Sequence, residues 1–159
     1  MMHPYLLTTL ELTPVILGAM LEHIPATRYD ERPDPNRFTL REALAHLADW
    51  EQILLEDRMQ AAVSRPGCDI AGIDEGKRAA ELGYDKMDVH QQLELFKQRR
   101  HTTAEWLRSV DEADWEKFLV HKERGKQTLY DQANLLLGHD LDHIEHVAQF
   151  LGEKTAGTW

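Results

Sequence analysis

The chain has 159 residues, the usual size of one domain, and its 42% hydrophobic content is enough for one core. Eighteen Lys and Arg against 28 Asp and Glu leave a formal charge of −10, which argues against a nucleic-acid partner, since affinity for phosphate backbones comes largely from cationic side chains that release counterions. No run of 18 apolar residues occurs and no basic stretch precedes the first apolar segment, so neither a membrane span nor a signal peptide is expected.

Residues 1–159 are therefore expected to form a single domain. Cys68 is the only cysteine and lies in SRPGCDIAG, outside any CxxC pattern; it reads as an unreactive loop thiol in a reducing cytoplasm.

Taken in order, Leu6 to about Ile24 is mostly apolar and ends at Pro25, with Pro14 suggesting a kink or a late start to the regular helix. Residues 25–37, PATRYDERPDPNR, read as a loop. Thr39 followed by Glu42 is a capping-box pattern that opens a second helix over about 39–64, with Ala43, Leu47, Trp50 and Leu54 on one stripe. The stretch from Pro66 to about Asp85 holds four glycines and no sustained period, so it reads as a long connection with one short helical turn near GKRAAELG. A connection of that length lets helices two and three run parallel, where a tight turn would force them antiparallel.

Asp88 with Gln91 resembles the next cap, and Val89, Leu93, Phe96, Arg100, Thr103 and Leu107 trace helix three to about Val110. Within it the basic run KQRR at 97–100 reads as a solvated face. A short helix and loop follow in DEADWEKFLVHKERGKQ. Thr128 with Asp131 then opens helix four, TLYDQANLLLGHDLDHIEHVAQFL, and a frayed tail is expected after Gly152. Strand-like alternation is missing, so the expected fold class is all-α, a four-helix bundle.

Helix four places three histidines in LGHDLDHIEHV. At about 100° and 1.5 Å per residue, His139 and His143 lie about 40° and 6 Å apart on one face, whereas His146 is about 10 Å along the axis from His139. An i,i+4 pair can share one ion at zinc–imidazole distances of about 2.0–2.1 Å, and His143 with His146 is the alternative pair. Nine histidines in 159 positions would give about half such a pair by chance, so HxxxH alone is weak. Its face also carries Leu136 and Phe150, which turns the rings toward the bundle interior.

The best third ligand is His46, in the apolar register of helix two within REALAHLADWE. Metal sites in bundles draw on facing helices, and three protein ligands leave coordination positions open. Asp49, one turn from His46, is the preferred carboxylate for orienting the site or moving protons; Trp50 is a candidate pocket wall; Glu51 and Glu145 read as surface charges. His90, His101 and His121 are expected at surface or loop positions, and His3 and His23 near a terminus and a helix end.

These two segments, TLREALAHLADWE and GHDLDHIEHVAQF, together with the helix order, the long connection after helix two and FKQRR followed by a further helix, resemble the DinB-like and YfiT-like superfamily of metalloenzymes, which includes bacillithiol and mycothiol S-transferases. The resemblance spans nearly the whole chain. It implies up-down-down-up connectivity, frequent dimerisation, and a divalent zinc or nickel ion held by His46, His139 and His143. Where relatives commonly carry glutamine after HxxxH, this chain has His146, which implies an altered pocket edge or an extra nitrogen near the ion.

Such an ion lowers the pKa of a water or thiol brought to it. The resemblance therefore implies a metal-dependent enzyme that transfers a low-molecular-weight thiol, bacillithiol-like, to an electrophilic small molecule. A metal-dependent hydrolase is the alternative, and a non-catalytic metal- or ligand-binding dimeric bundle stands behind both.

Overall fold

The structure is a computed structural model and describes residues 4–152; His3 and the tail beyond Gly152 lie outside the described residues. Four long helical segments dominate it. The first helix, α1, spans Pro4–Leu21. It starts well before Pro14 and passes through it, which excludes the late start. Proline has no N–H to offer the carbonyl four residues back, and that carbonyl, of Leu10, instead accepts from Arg100 Nη1 at 2.8 Å.

The second segment is α2 (Leu40–Ile53), which runs through a π-helical stretch, Leu54–Met59, into the short α3 (Gln60–Ser64). Its start is the expected capping box: the Thr39 side chain accepts from Glu42 N–H while the Glu42 carboxylate accepts from Thr39 N–H. The connection that follows contains β1 (Asp69–Ile70) and α4 (Glu75–Leu82), the latter ended by Gly83 in the left-handed region at φ +69°. Helix α5 (Val89–Ser109) is capped by Asp88, and α6 (Leu129–Ala148) by a second capping box from Thr128 and Asp131.

Between α5 and α6 lies a feature the sequence reading did not expect. Strand β2 (Phe118–His121) pairs antiparallel with β3 (Gly125–Thr128) and parallel with β1. The strands are two to four residues long, too short for alternation to register in a sequence window.

Two apolar clusters fix the topology. One gathers Leu6 and Leu10 at the start of α1, Trp50 and Ile53 at the end of α2, Ala104 and Leu107 at the end of α5, and Leu129 and Ala133 at the start of α6. The other gathers the opposite ends: Leu17 and Leu21, Leu40 and Leu44, Val89 and Phe96, and Val147. Helices α1 and α6 therefore run one way and α2 and α5 the other, the up-down-down-up order that the long α2–α5 connection permits.

A polar layer separates the two clusters. Arg100, 1% exposed, donates to Glu51 and Asp140, and Thr13 Oγ1 donates to Asp140 Oδ2 at 2.5 Å. Glu51 is accordingly buried, contrary to the surface position expected for it, and KQRR is not one solvated face: Arg100 is interior and Arg99 Nη1 donates to the Ala48 carbonyl at 2.6 Å. Burial opposes the Arg100 charge, but the two carboxylates outweigh it and hold its pKa above the ordinary value.

Candidate metal centre

The histidines occupy the same level of the bundle. His46 sits on α2 between Leu44 of one cluster and Trp50 of the other, and His139 and His143 lie on α6 between Leu136 and Val147. His46 Nε2 and His139 Nε2 approach to 3.0 Å, and one ligand-capable nitrogen or oxygen from each of His46, His139 and His143 falls within 4.8 Å of the others. A tetrahedral ion bound at about 2.0–2.1 Å sets its ligand nitrogens about 3.3 Å apart. The His46–His139 separation is near that value, and His143 lies close enough for a small shift to complete the set.

The electrostatics fit a cation as well. Burial, then the neighbouring His139, pushes His46 down to about 3; burial lowers His139; and burial with His139, His46 and His146 around it takes His143 well below its usual range. All three rings are thus neutral near pH 7, the protonation state that binds metal. Nδ1 of His139 and Nδ1 of His143 are buried without a hydrogen-bond partner, so these rings have bonding capacity that the described protein groups do not use. Three neutral imidazoles make a nitrogen donor set, which suits a transition-metal ion better than calcium or magnesium, which prefer oxygen.

Aromatic side chains hold the first of these rings. Trp50 stacks on His46 at 5.4 Å with 24° between planes, and Phe38 packs on it at 5.2 Å. Trp50 also lines a cavity that reaches His139, so the expected pocket wall and the core-packing role coincide. The ring of His146 lies 6.1 Å from that of His143, outside the close cluster, and lines the neighbouring cavity. Burial, then Arg37, lowers its pKa.

Asp49 is engaged elsewhere. Its carboxylate accepts from Arg78, at 2.8 Å from Nη2 and through Nε as well, and from Tyr84 OH at 2.6 Å. Burial pushes its pKa up, but these bonds outweigh it and hold it low. Asp49 acts on His46 only through space, and it ties the α2–α5 connection to α2. Glu145 pairs with Arg37, which also reaches Asp142 at 2.7 Å, so this arginine fastens the 25–37 loop over the end of α6.

Two cavities meet at the cluster, of about 390 and 360 Å³. His139 and Glu75 line both, and burial raises the Glu75 carboxyl above its ordinary range. Glu75, Arg58 and Arg124 were not singled out in the sequence. Glu75 follows an ordinary cap residue, Asp74, in a glycine-rich connection, and His121 was expected at a loop or surface but is 3% exposed on β2.

YfiT from Bacillus subtilis, described as "a probable metal-dependent hydrolase with an unusual four-helix bundle topology", superposes with a TM-score of 0.84 over 92% of this chain and 83% of its own, at 19% identity. At that identity the likeness establishes the fold. No curated protein matches the chain. The family model of the DinB superfamily matches residues 9–147, a span that contains all three clustered histidines. The chain belongs to the DinB superfamily.

Proposed function

We propose that this protein is a divalent-metal-dependent enzyme that joins a low-molecular-weight thiol to an electrophilic small molecule, with His46, His139 and His143 holding the ion. The observation that carries the thiol-transfer reading is the pair of adjoining cavities lined in common by His139 and Glu75, which together leave room beside the histidines for two organic reactants. When bound, the ion supplies positive charge that lowers the pKa of a thiol and raises its nucleophilicity.

The chain's own groups do the remaining work. Trp50 and Phe38 fix the plane of His46, and the lowered pKa values keep all three rings neutral. Glu75 faces both compartments with a raised pKa, which suits a group that accepts the thiol proton and passes it to solvent. The sulfur forms the new S–C bond as the leaving group departs with its electron pair. Hydrolysis is the second reading, favoured by the description of YfiT.

The test is to load the protein with zinc or nickel, measure bound metal, and assay a panel of small thiols with monochlorobimane alongside a panel of esters and amides. About one ion per chain and a thioether product that His143→Ala abolishes are expected, with Glu75→Gln lowering kcat about 100-fold. Ester or amide cleavage without thioether formation would replace transfer by hydrolysis. A protein that takes up neither metal would end both readings.

A further inference from the structure

Among the described residues two arginines are buried, and they are treated differently. Arg100 is saturated by Glu51, Asp140 and the Leu10 carbonyl. Arg58 is 6% exposed and lies over the Trp50 ring at 5.6 Å, but among the described residues no acceptor hydrogen-bonds its guanidinium and no carboxylate lies within ion-pair distance. Its N–H donors are therefore left for the cavity that Arg58 lines, with Glu75 and Asp57 acting on it only through space. Burial, then Arg124, lowers its pKa, and those two carboxylates oppose the shift.

Arg58 comes from the π-helical stretch, in which Gln60 N–H reaches back five residues to the Leu55 carbonyl, and it lines the 360 Å³ cavity that opens on His139. Arg124, on the turn between β2 and β3, lines the same cavity, as does His121. His121 Nδ1 accepts from Glu123 N–H at 3.2 Å, so the neutral ring carries its proton on Nε2 and is a donor there. Trp50, Leu54, Ile73, Leu135 and Leu136 supply apolar wall; Glu75 and Glu123 are the carboxylates on its lining.

We infer that this cavity is an oxyanion subsite, in which Arg58, with Arg124 and the His121 Nε2–H, binds the carboxylate or phosphate of a small amphipathic substrate whose apolar body lies against Trp50 and Leu136. The inference rests on the proposed metal centre for its place in a reaction, though not for binding itself. It narrows the substrate class: one of the two reactants carries an anionic end and an apolar body. A planar guanidinium matches either oxyanion through paired hydrogen bonds, which a lysine cannot reproduce.

Calorimetric titration of metal-loaded and chelator-treated protein with hexanoate, hexyl phosphate and neutral hexanol tests it. Saturable binding of one or both anions, at least about tenfold tighter than hexanol and weakened about tenfold in Arg58→Gln and Arg58→Lys, is expected; the tighter anion identifies the group. Arg124→Gln, on an exposed turn, gives a several-fold loss and decides the matter if the Arg58 variants do not fold. Hexanol binding as tightly as the anions, no saturable anion binding to wild type, or affinity indifferent to Arg58 and Arg124 would overturn the subsite. If no metal is found while arginine-dependent anion binding persists, the subsite stands and the metal reading falls alone. If metal binds and the anions ignore the arginines, the reverse holds.

Discussion

Arg100 shows how strongly one side chain can be committed. Replacing it by methionine leaves Glu51 and Asp140 as uncompensated carboxylates in the middle of the bundle, and about 3–5 kcal/mol of stability should be lost in urea denaturation. Removing the charge together with its carboxylate partners should cost far less, because a buried pair replaced by apolar groups is often neutral. The histidines give a pH dependence of definite sign. His46 binds its proton with a pKa near 6.5 when unfolded and about 3 when folded, so between those values the unfolded chain holds the proton and the folded one does not. Stability of the metal-free protein is therefore full above about pH 6.5 and falls as pH drops, by up to about 1.4 kcal/mol per pH unit for each such ring. Urea midpoints at pH 5, 6, 7 and 8 check this: the slope should be flatter in His46→Gln, and a pH-independent midpoint in the wild type would refute it.

At the scale of elements, Gly125 is the weak joint of the β2–β3 hairpin. It sits at φ +77° with open space where a Cβ would go, so Gly125→Ala meets a backbone penalty and no collision. A loss of about 1–2 kcal/mol is expected, together with weaker anion binding, since Arg124 and His121 flank this turn. Helix starts were legible in the sequence because a capping box is local: Thr39 with Glu42 and Thr128 with Asp131 mark both helices that carry the histidines. His46 was legible because it interrupts an apolar register. What escaped notice was decided by distant partners. Arg100 stands on the apolar register of helix three, but its burial is explained only when Glu51 and Asp140 arrive from two other helices, and Arg58 lines its cavity from a π turn that leaves no distinctive pattern. His121 is buried by a sheet whose strands are four residues or fewer.

For the molecule as a whole, an ion held by the three histidines would be coupled to the fold. The three histidines come from α2 and α6, antiparallel helices separated in sequence by the entire α5 segment, so a ligand that requires all three rings binds only the folded state. At a metal concentration about 100 times Kd, folding should gain about 2.7 kcal/mol. Thermal unfolding with and without zinc or nickel checks this, and His46→Ala should abolish the shift while remaining folded.

The α2–α5 connection has a consequence beyond chain return. Up-down-down-up connectivity needs its length, and the bundle needs its anchorage through Arg78 and Tyr84 to Asp49, but neither need dictates Gly72, Ile73 or Glu75, which line the cavities beside the histidines. In the proposed enzyme, reactivity and selectivity would lie on separate stretches of the gene: the histidines are fixed by two helices, and part of the binding surface by the segment between β1 and Arg78. A chimera that exchanges residues 71–77 with those of a relative, keeping β1, Arg78, Tyr84 and Asp49, should retain its metal uptake and its helical content while changing which small molecules it accepts.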